Sequence, residues 1–125
     1  MVINKTIALL SVIIPVLNEA ANIEATLRQV IGAENLEIIV VDGGSRDNTV
    51  ELAQALGVKV ITSSPGRATQ MNTGAAIATG DILLFLHGDS LLPVAYDKLI
   101  RTSLASPDII AGAFYLRIDE QGIFI

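Results

Sequence analysis

Cysteine is absent from this 125-residue chain, which removes both a disulfide framework and any thiolate metal site. The absence fits a reducing, cytoplasmic compartment. Tryptophan is missing too, and aromatics make up only 4%, so a core has to be built from Ile, Val, Leu and Ala. Basic residues are few and scattered: 8 Lys and Arg against 13 Asp and Glu give a net charge of −5. That balance argues against a nucleic-acid footprint. An anionic ligand would need local help from a metal, a helix N-terminus or one well-placed Arg. No apolar run reaches the roughly 18 residues of a membrane span. Three sequence signatures are also lacking. There is no G-x-G-x-x-G after the first strand, no G-x-x-x-x-G-K-[ST], and no G-x-S-x-G. A dinucleotide-binding turn, a P-loop and an α/β-hydrolase nucleophile are therefore unsupported.

What is present is apolar. Hydrophobic residues make up 51% and charged residues 17%, enough for one domain with a real core. Such a composition implies strands buried on both faces, or a neighbouring segment that covers part of the surface. Lys5 followed by Ile7 to Leu17 has the outline of a signal peptide. Pro15, and the lack of a small-residue cleavage site before Asn18-Glu19, favour a first buried strand instead.

The pattern then alternates. Ile7 to Val16 reads as a strand with Pro15 at its end, where no ladder donor is needed. Asn18 is placed to cap a helix from Ala20 to Ile31, ended by Gly32. Glu37 to Val41 is a second strand running into Asp42-Gly43-Gly44-Ser45. A helix from Asn48 to Leu56 comes next, capped by Asp47 or Ser45 and closed by Gly57, then a strand from Val58 to Thr62. After the turn Ser63-Ser64-Pro65-Gly66 comes a small-residue helix from Arg67 to Ala78. The apolar stretch from Ile82 reads as a fourth strand buried on both faces, with Asp81 at its start. A helix from Pro93 to Leu104, a break at Ser106-Pro107, a fifth strand from Ile109 to Leu116 and a solvated turn at Asp119 to Gly122 complete the reading. Strands alternating with helices predict an α/β fold, a mainly parallel sheet with helices on both faces.

In such a sheet, ligands bind beyond the carboxyl ends of the strands. Three loops fall there: Pro15 to Glu19, Asp42 to Ser45, and His87 to Asp89. Glu19, Asp42 and Asp89 are expected to converge at that edge, where a cation would offset their repulsion. Mg²⁺ typically takes one or two carboxylates plus phosphate oxygens, so a metal-bridged diphosphate fits. Arg67, the only basic residue in the loop after the third strand, could bind a phosphate bidentately.

Four blocks in this order resemble the family 2 glycosyltransferases, nucleotide-sugar-dependent enzymes of the GT-A fold. They are S-V-I-I-P-V-L-N-E (Ser11 to Glu19), E-I-I-V-V-D-G-G-S-R-D-N-T (Glu37 to Thr49), G-R-A-T-Q-M-N-T-G-A-A-I-A-T-G-D (Gly66 to Asp81) and L-L-F-L-H-G-D-S (Leu83 to Ser90). The F-L-H-x-D form is similar to a bacterial subgroup in which His replaces the first Asp of the family's D-x-D. The resemblance implies that Pro15, Asn18 and Glu19 line the nucleotide pocket and that Asp42 meets the base or ribose. It places Arg67 near the base or diphosphate, His87 at a ribose or metal contact, and Asp89 on Mg²⁺ or Mn²⁺. Gly43 stands where many members carry a second acid. The family also implies a second half that supplies the acceptor site and the general base. No base is identifiable here, and residues 1–125 are expected to be the donor-binding domain.

Plainer roles stand beside these. Asp42 can stabilise its own turn, and Asp89 can cap the next segment. His87 can be a hydrogen-bonded loop residue and Arg67 a solvated helix start, while Asp47 reads as a cap. Gln70, Asn72 and Gly74 read as packing the third helix on the sheet. The function expected is sugar transfer from a nucleotide donor, UDP-sugar first, with a lipid acceptor or a membrane-peripheral setting in view. A sugar-nucleotide-forming nucleotidyltransferase would carry a Gly-rich basic loop after strand one, which Leu17-Asn18-Glu19 does not offer. A truncated module that binds nucleotide or a partner without turnover is the non-catalytic alternative. The apolar Ile123-Phe124-Ile125 predicts self-association through an uncovered C-terminal edge.

Overall fold

The computed structural model describes residues 8–90 and 92–103, with the backbone of 115–116 and 123–124. Four strands, β1 (Leu10–Val16), β2 (Leu36–Asp42), β3 (Lys59–Thr62) and β4 (Ile82–Phe85), form one all-parallel sheet in the order β3-β2-β1-β4. Helices α1 (Ile23–Ile31), α2 (Thr49–Ala55), α3 (Arg67–Ile77) and α4 (Tyr96–Ser103) separate or follow them. Tyr115–Leu116 (β5) and Ile123–Phe124 (β6) pair antiparallel. The start of the first strand at Ile7, the Ser106-Pro107 break, most of the predicted fifth strand and the Asp119 turn lie outside the described residues.

Alternation along β1 splits the core. Leu10, Val12, Ile14 and Val16 pack with Ile23, Leu27 and Val30 of α1, Ala53 of α2, and Tyr96 and Ile100 of α4. Ile13 faces the other way, with Ile39 and Val41 of β2 and Ala75 of α3. The chain steps outward from β1 to β3 through α1 and α2, then returns across the sheet through α3 to reach β4. Reversing direction while keeping right-handed crossovers puts α3 on the opposite face. Helices therefore cover both faces, as the sequence predicted.

Pro15 stands opposite Val41 in register, and the last bond to β4 is Leu86 N donating to Ile13 O. The residue that cannot donate thus falls just past the end of the β4 ladder.

The fourth strand corrects the sequence reading. Ile82 and Leu84 pack on the α1 side, but Leu83 and Phe85 are 43% and 40% exposed. Helix α3 lies over β1 and β2 and leaves that face of β4 bare among the described residues. An all-apolar run carries no periodicity to reveal this half-exposure.

α3 sits close to the sheet because of Gly74. A Cβ there would lie 2.4 Å from Ile13 Cγ2 and 3.0 Å from Val41 Cγ2. Gly74→Ala should therefore overpack this face and cost about 1–3 kcal/mol, read by urea denaturation. A neutral or stabilising result would show that α3 lifts freely.

At the amino edge, Glu37 binds the far end of α3 to β1. Its carboxylate accepts from Ser11 Oγ (2.7 Å), Thr79 N (2.7 Å) and Thr79 Oγ1 (2.9 Å). The Thr79 amide, then the Ser11 hydroxyl, with help from Lys59, hold this carboxyl below its ordinary 4.5 against the cost of desolvation. A depressed carboxyl pKa gives stability that is present above the unfolded value and lost as pH falls through the folded one. Urea stability should decline as pH drops below 4.5, and less steeply in Glu37→Gln. Equal acid slopes in the two proteins would remove Glu37 from the account.

Candidate functional site

The carboxyl edge of the sheet is built by loops that hold one another. Asn18 adopts a left-handed conformation (φ 55°), which Asn tolerates better than most residues. Its backbone N donates to Ser45 Oγ (2.9 Å), and its Oδ1 accepts from Arg46 N (2.8 Å). Asn18 therefore does not cap α1, correcting the sequence expectation. Its side chain is engaged across to the next loop, and the helix begins three residues later than predicted, at Ile23. One step on, Glu19 N donates to Thr49 Oγ1 (2.9 Å) and Ala20 N to Asp47 Oδ2 (3.1 Å). Asp47 also accepts from the amide and hydroxyl of Thr49. The Thr49 hydroxyl, with the Ala20 and Thr49 amides, holds the Asp47 carboxyl below its ordinary range, against desolvation. Asp47 stands one residue before the Asn48 cap of α2, accepts from the helix's first amide at Thr49, and also ties it to the β1 loop.

Asp42 is turned into its own loop. Its Oδ2 accepts from Gly44 N (3.0 Å) and Ser45 N (2.9 Å), and its Oδ1 from the Ser45 hydroxyl. With the residue only 3% exposed, these three bonds take most of the carboxylate's acceptor sites. Asp42 thus stabilises its own turn, as one of its two sequence readings has it.

The loop after β4 packs against the loop after β1. A Cβ at Gly88 would meet Glu19 Cγ and Val16 Cγ1, both at 3.0 Å, and Gly88 O accepts from Thr26 Oγ1 (2.8 Å). Ser90 N donates to His87 O (3.1 Å), closing a tight turn that presents His87 and Asp89 to solvent. Among the described residues, no hydrogen bond or ion pair occupies the side chains of His87, Asp89 or Arg67, the first residue of α3. Pro15 is half-buried within β1.

The expected convergence of Glu19, Asp42 and Asp89 needs correction. All three belong to the carboxyl edge, but no three His, Asp or Glu among the described residues are grouped to hold a metal ion. The Asp42 carboxylate accepts from three donors of its own loop, and the Glu19 carboxylate accepts from Asn22 Nδ2 (3.4 Å). Asp89 alone offers an exposed, uncommitted carboxylate, a hard oxygen ligand of the kind Mg²⁺ and Mn²⁺ take singly when phosphate oxygens complete the shell.

Gln70, read from the sequence as a packing residue, has a larger part: its side chain reaches the ends of both β1 and β2. The signal was its place four residues before Gly74 on a helix of small residues, the same buried face. Away from this edge, a pocket of about 380 Å³ opens between the end of α1 and the start of α4, lined by Gln29, Glu34, Tyr96 and Lys98 among others. No helix among the described residues is long and apolar enough to cross a membrane.

Comparison with known proteins agrees with this architecture. A glycosyltransferase AglE of Haloferax volcanii is 38% identical over 96 residues, covering 68% of this chain and 32% of that protein. A PGL/p-HBAD biosynthesis glycosyltransferase of Mycobacterium bovis is 40% identical over 104 residues, covering 74% and 40%. An undecaprenyl-phosphate 4-deoxy-4-formamido-L-arabinose transferase of Aeromonas hydrophila is 31% identical, covering 86% and 37%. The chain thus spans well under half the length of these relatives. Among solved structures, a mannosyltransferase of Pyrobaculum calidifontis with GDP-Man and Mn²⁺ superposes with a TM-score of 0.68 at 30% identity, over 80% of this chain and 33% of that one. Glucosyl-3-phosphoglycerate synthase of Mycobacterium tuberculosis, with Mn²⁺, UDP and glucosyl-3-phosphoglycerate, gives 0.61 at 32% identity, over 69% and 35%. The fold is the Rossmann-like nucleotide-binding half of a GT-A protein. Residues 11–124 match the family described as glycosyl transferase family 2, and the chain belongs to that family.

Proposed function

We propose that the carboxyl edge binds the nucleoside diphosphate of a sugar donor, and that the whole protein transfers that sugar to an acceptor. One observation carries the reading. The rim loops consume Asn18, Asp42, Ser45, Asp47 and Thr49 in bonds to one another, while Asp89, His87 and Arg67 keep their side chains uncommitted among the described residues. Those three are a carboxylate, an imidazole and a guanidinium, the groups a metal-bridged diphosphate calls for. Family membership supports the transferase reading over the nucleotidyltransferase one.

In this reading Asp89 holds Mg²⁺ or Mn²⁺, and Arg67 meets a phosphate oxygen. His87, in the F-L-H-x-D form of the motif, contacts the ribose or the metal, and Pro15, Asn18 and Glu19 wall the pocket. When bound, the cation acts as a Lewis acid toward the departing diphosphate. Asp42 acts by fixing the loop that faces the base. Residues 1–125 serve as the donor-binding domain, the general base lying elsewhere. The donor is a UDP- or GDP-sugar, supported by the two solved relatives that hold UDP and GDP-Man. A lipid-phosphate acceptor at a membrane surface is supported by the name of the Aeromonas relative. The self-association expected through Ile123 to Ile125 concerns side chains outside the described residues.

Calorimetric titration of UDP and GDP, with Mn²⁺ and with EDTA, tests the proposal. Binding of one nucleotide that weakens on chelation is the expected result. Affinity for neither, or affinity indifferent to the metal, would contradict it.

A further inference from the structure

We propose that Gln70 is a positioning residue for this nucleotide pocket, one buried amide that holds the loops after β1, β2 and β3 in a single arrangement. The inference rests on the nucleotide reading above and goes beyond it by naming what keeps the rim in place.

Gln70 is 4% exposed and projects from the first turns of α3. Both hydrogens of its Nε2 are used: it donates to Val16 O (2.9 Å) at the end of β1 and to Val41 O (2.9 Å) near the end of β2. Its Oε1 accepts from Gly66 N (3.1 Å), while its own backbone N donates to Gly66 O (2.9 Å). Gly66 has φ 133°, a conformation that other residues rarely adopt, and it immediately precedes Arg67. One side chain thus joins the residue before Leu17-Asn18-Glu19, the residue before Asp42, and the residue before Arg67. No other described side chain bonds to all three.

The sheet does not depend on this amide. Val16 O also accepts from Gly43 N (3.0 Å), so losing Gln70 does not orphan that carbonyl. The cost of removing the amide should therefore fall on loop placement more than on the fold. Gly43 supplies an independent handle. A Cβ there would lie 2.8 Å from Gln70 Oε1 and 2.9 Å from its Cδ. A methyl at 43 would push aside the end of a flexible side chain and leave the core alone.

A purely packing role for Gln70 makes a different prediction, which a pH signature separates. In Gln70→Glu an ionised carboxylate faces two carbonyl oxygens and cannot donate, whereas the protonated acid donates once and still accepts from Gly66 N. Burial and the two carbonyls raise the pKa of the new acid. UDP (or GDP, whichever the wild type binds) is titrated with Mn²⁺ into the full-length protein at pH 8 and pH 6, each variant compared with wild type at the same pH. Gln70→Glu should bind about tenfold more weakly at pH 8 and recover much of that loss at pH 6. Gly43→Ala should weaken binding in the same direction with an unchanged thermal midpoint and no recovery at pH 6. If Gln70→Glu does not fold, Gly43→Ala alone decides the question. Wild-type affinity in both variants would overturn the proposal. So would a Gln70→Glu loss that tracks the thermal midpoint and is equal at both pH values, the mark of helix packing. A wild type that binds neither nucleotide would overturn the underlying reading and the proposal with it, an outcome distinct from binding that simply ignores Gln70.

Discussion

Arg101→Ala should destabilise the protein by about 3 kcal/mol, the largest single loss expected at any exposed or half-buried position. The guanidinium ties α4 to the start of the sheet. Its Nη1 donates to Asp97 Oδ2 (2.7 Å), its Nε to Ala8 O (3.1 Å), and its Nη2 to Glu34 O (2.8 Å) and Asn35 O (3.2 Å). Asn35 O also receives Leu10 N, the bond that opens β1. Truncation leaves the Asp97 carboxylate buried without its cation, and such an orphaned charge costs more than the pair itself contributes. Lysine offers a compact ammonium in place of the planar fork, so Arg101→Lys should recover only part of the loss. Urea denaturation measures both variants. A cost below about 1 kcal/mol for Arg101→Ala would mean the pair behaves as an ordinary surface ion pair.

The second large effect is on binding. Asp89→Ala should abolish the metal-dependent part of nucleotide affinity while leaving the fold intact. Its carboxylate is exposed, makes no bond among the described residues, and lies in a turn closed by backbone atoms of His87 and Ser90, so the turn survives the substitution. An alteration outside the ligand shell already costs a metal site roughly 10–100-fold, and removal of the carboxylate proposed to ligate the cation should cost at least that. UDP titrations of wild type and variant with and without Mn²⁺ read the effect. If Mn²⁺ strengthens binding equally in both, the cation is held elsewhere. Asp42→Asn is the contrasting case. Because the Asp42 carboxylate accepts from two amides and a hydroxyl of its own loop, its loss should disturb the rim without touching the metal dependence.

The order of strands and helices, the parallel sheet and the three loops at one edge were legible because each rests on local chemistry. β-branched runs, glycine stops and turn residues recur at the spacing a helix-covered parallel sheet requires. What was not legible depended on partners far along the chain. Asn18 has the chemistry of a helix cap, yet Arg46 N, 28 residues away, claims its oxygen. The three donors that hold Asp42 in its own loop lie at Gly44 and Ser45 beside it, and the sequence alone left its turn role open beside a ligand role. The four-residue β4 is apolar throughout, so the bare Leu83–Phe85 face left no mark in the pattern. Gln70 gave only the faint hint of a long polar side chain on the face that Gly74 brings against the sheet. The four motif blocks pointed to the carboxyl edge, but resemblance alone did not divide its residues into those bonded within the loops and those whose side chains make no bond among the described residues.

The central claim is one of place: nucleotide and cation meet at the carboxyl edge between the loops after β1, β2 and β4. Amide chemical-shift mapping with UDP or GDP, then with Mn²⁺ as a paramagnetic probe, tests it most directly. Shifts at Asn18, Gly43 to Ser45, Arg67 and His87 to Ser90, with Mn²⁺ broadening centred on Asp89, are the predicted result. Shifts centred instead on the pocket between α1 and α4, around Gln29 and Lys98, would contradict it. So would Mn²⁺ broadening that leaves the amides of His87 to Ser90 untouched.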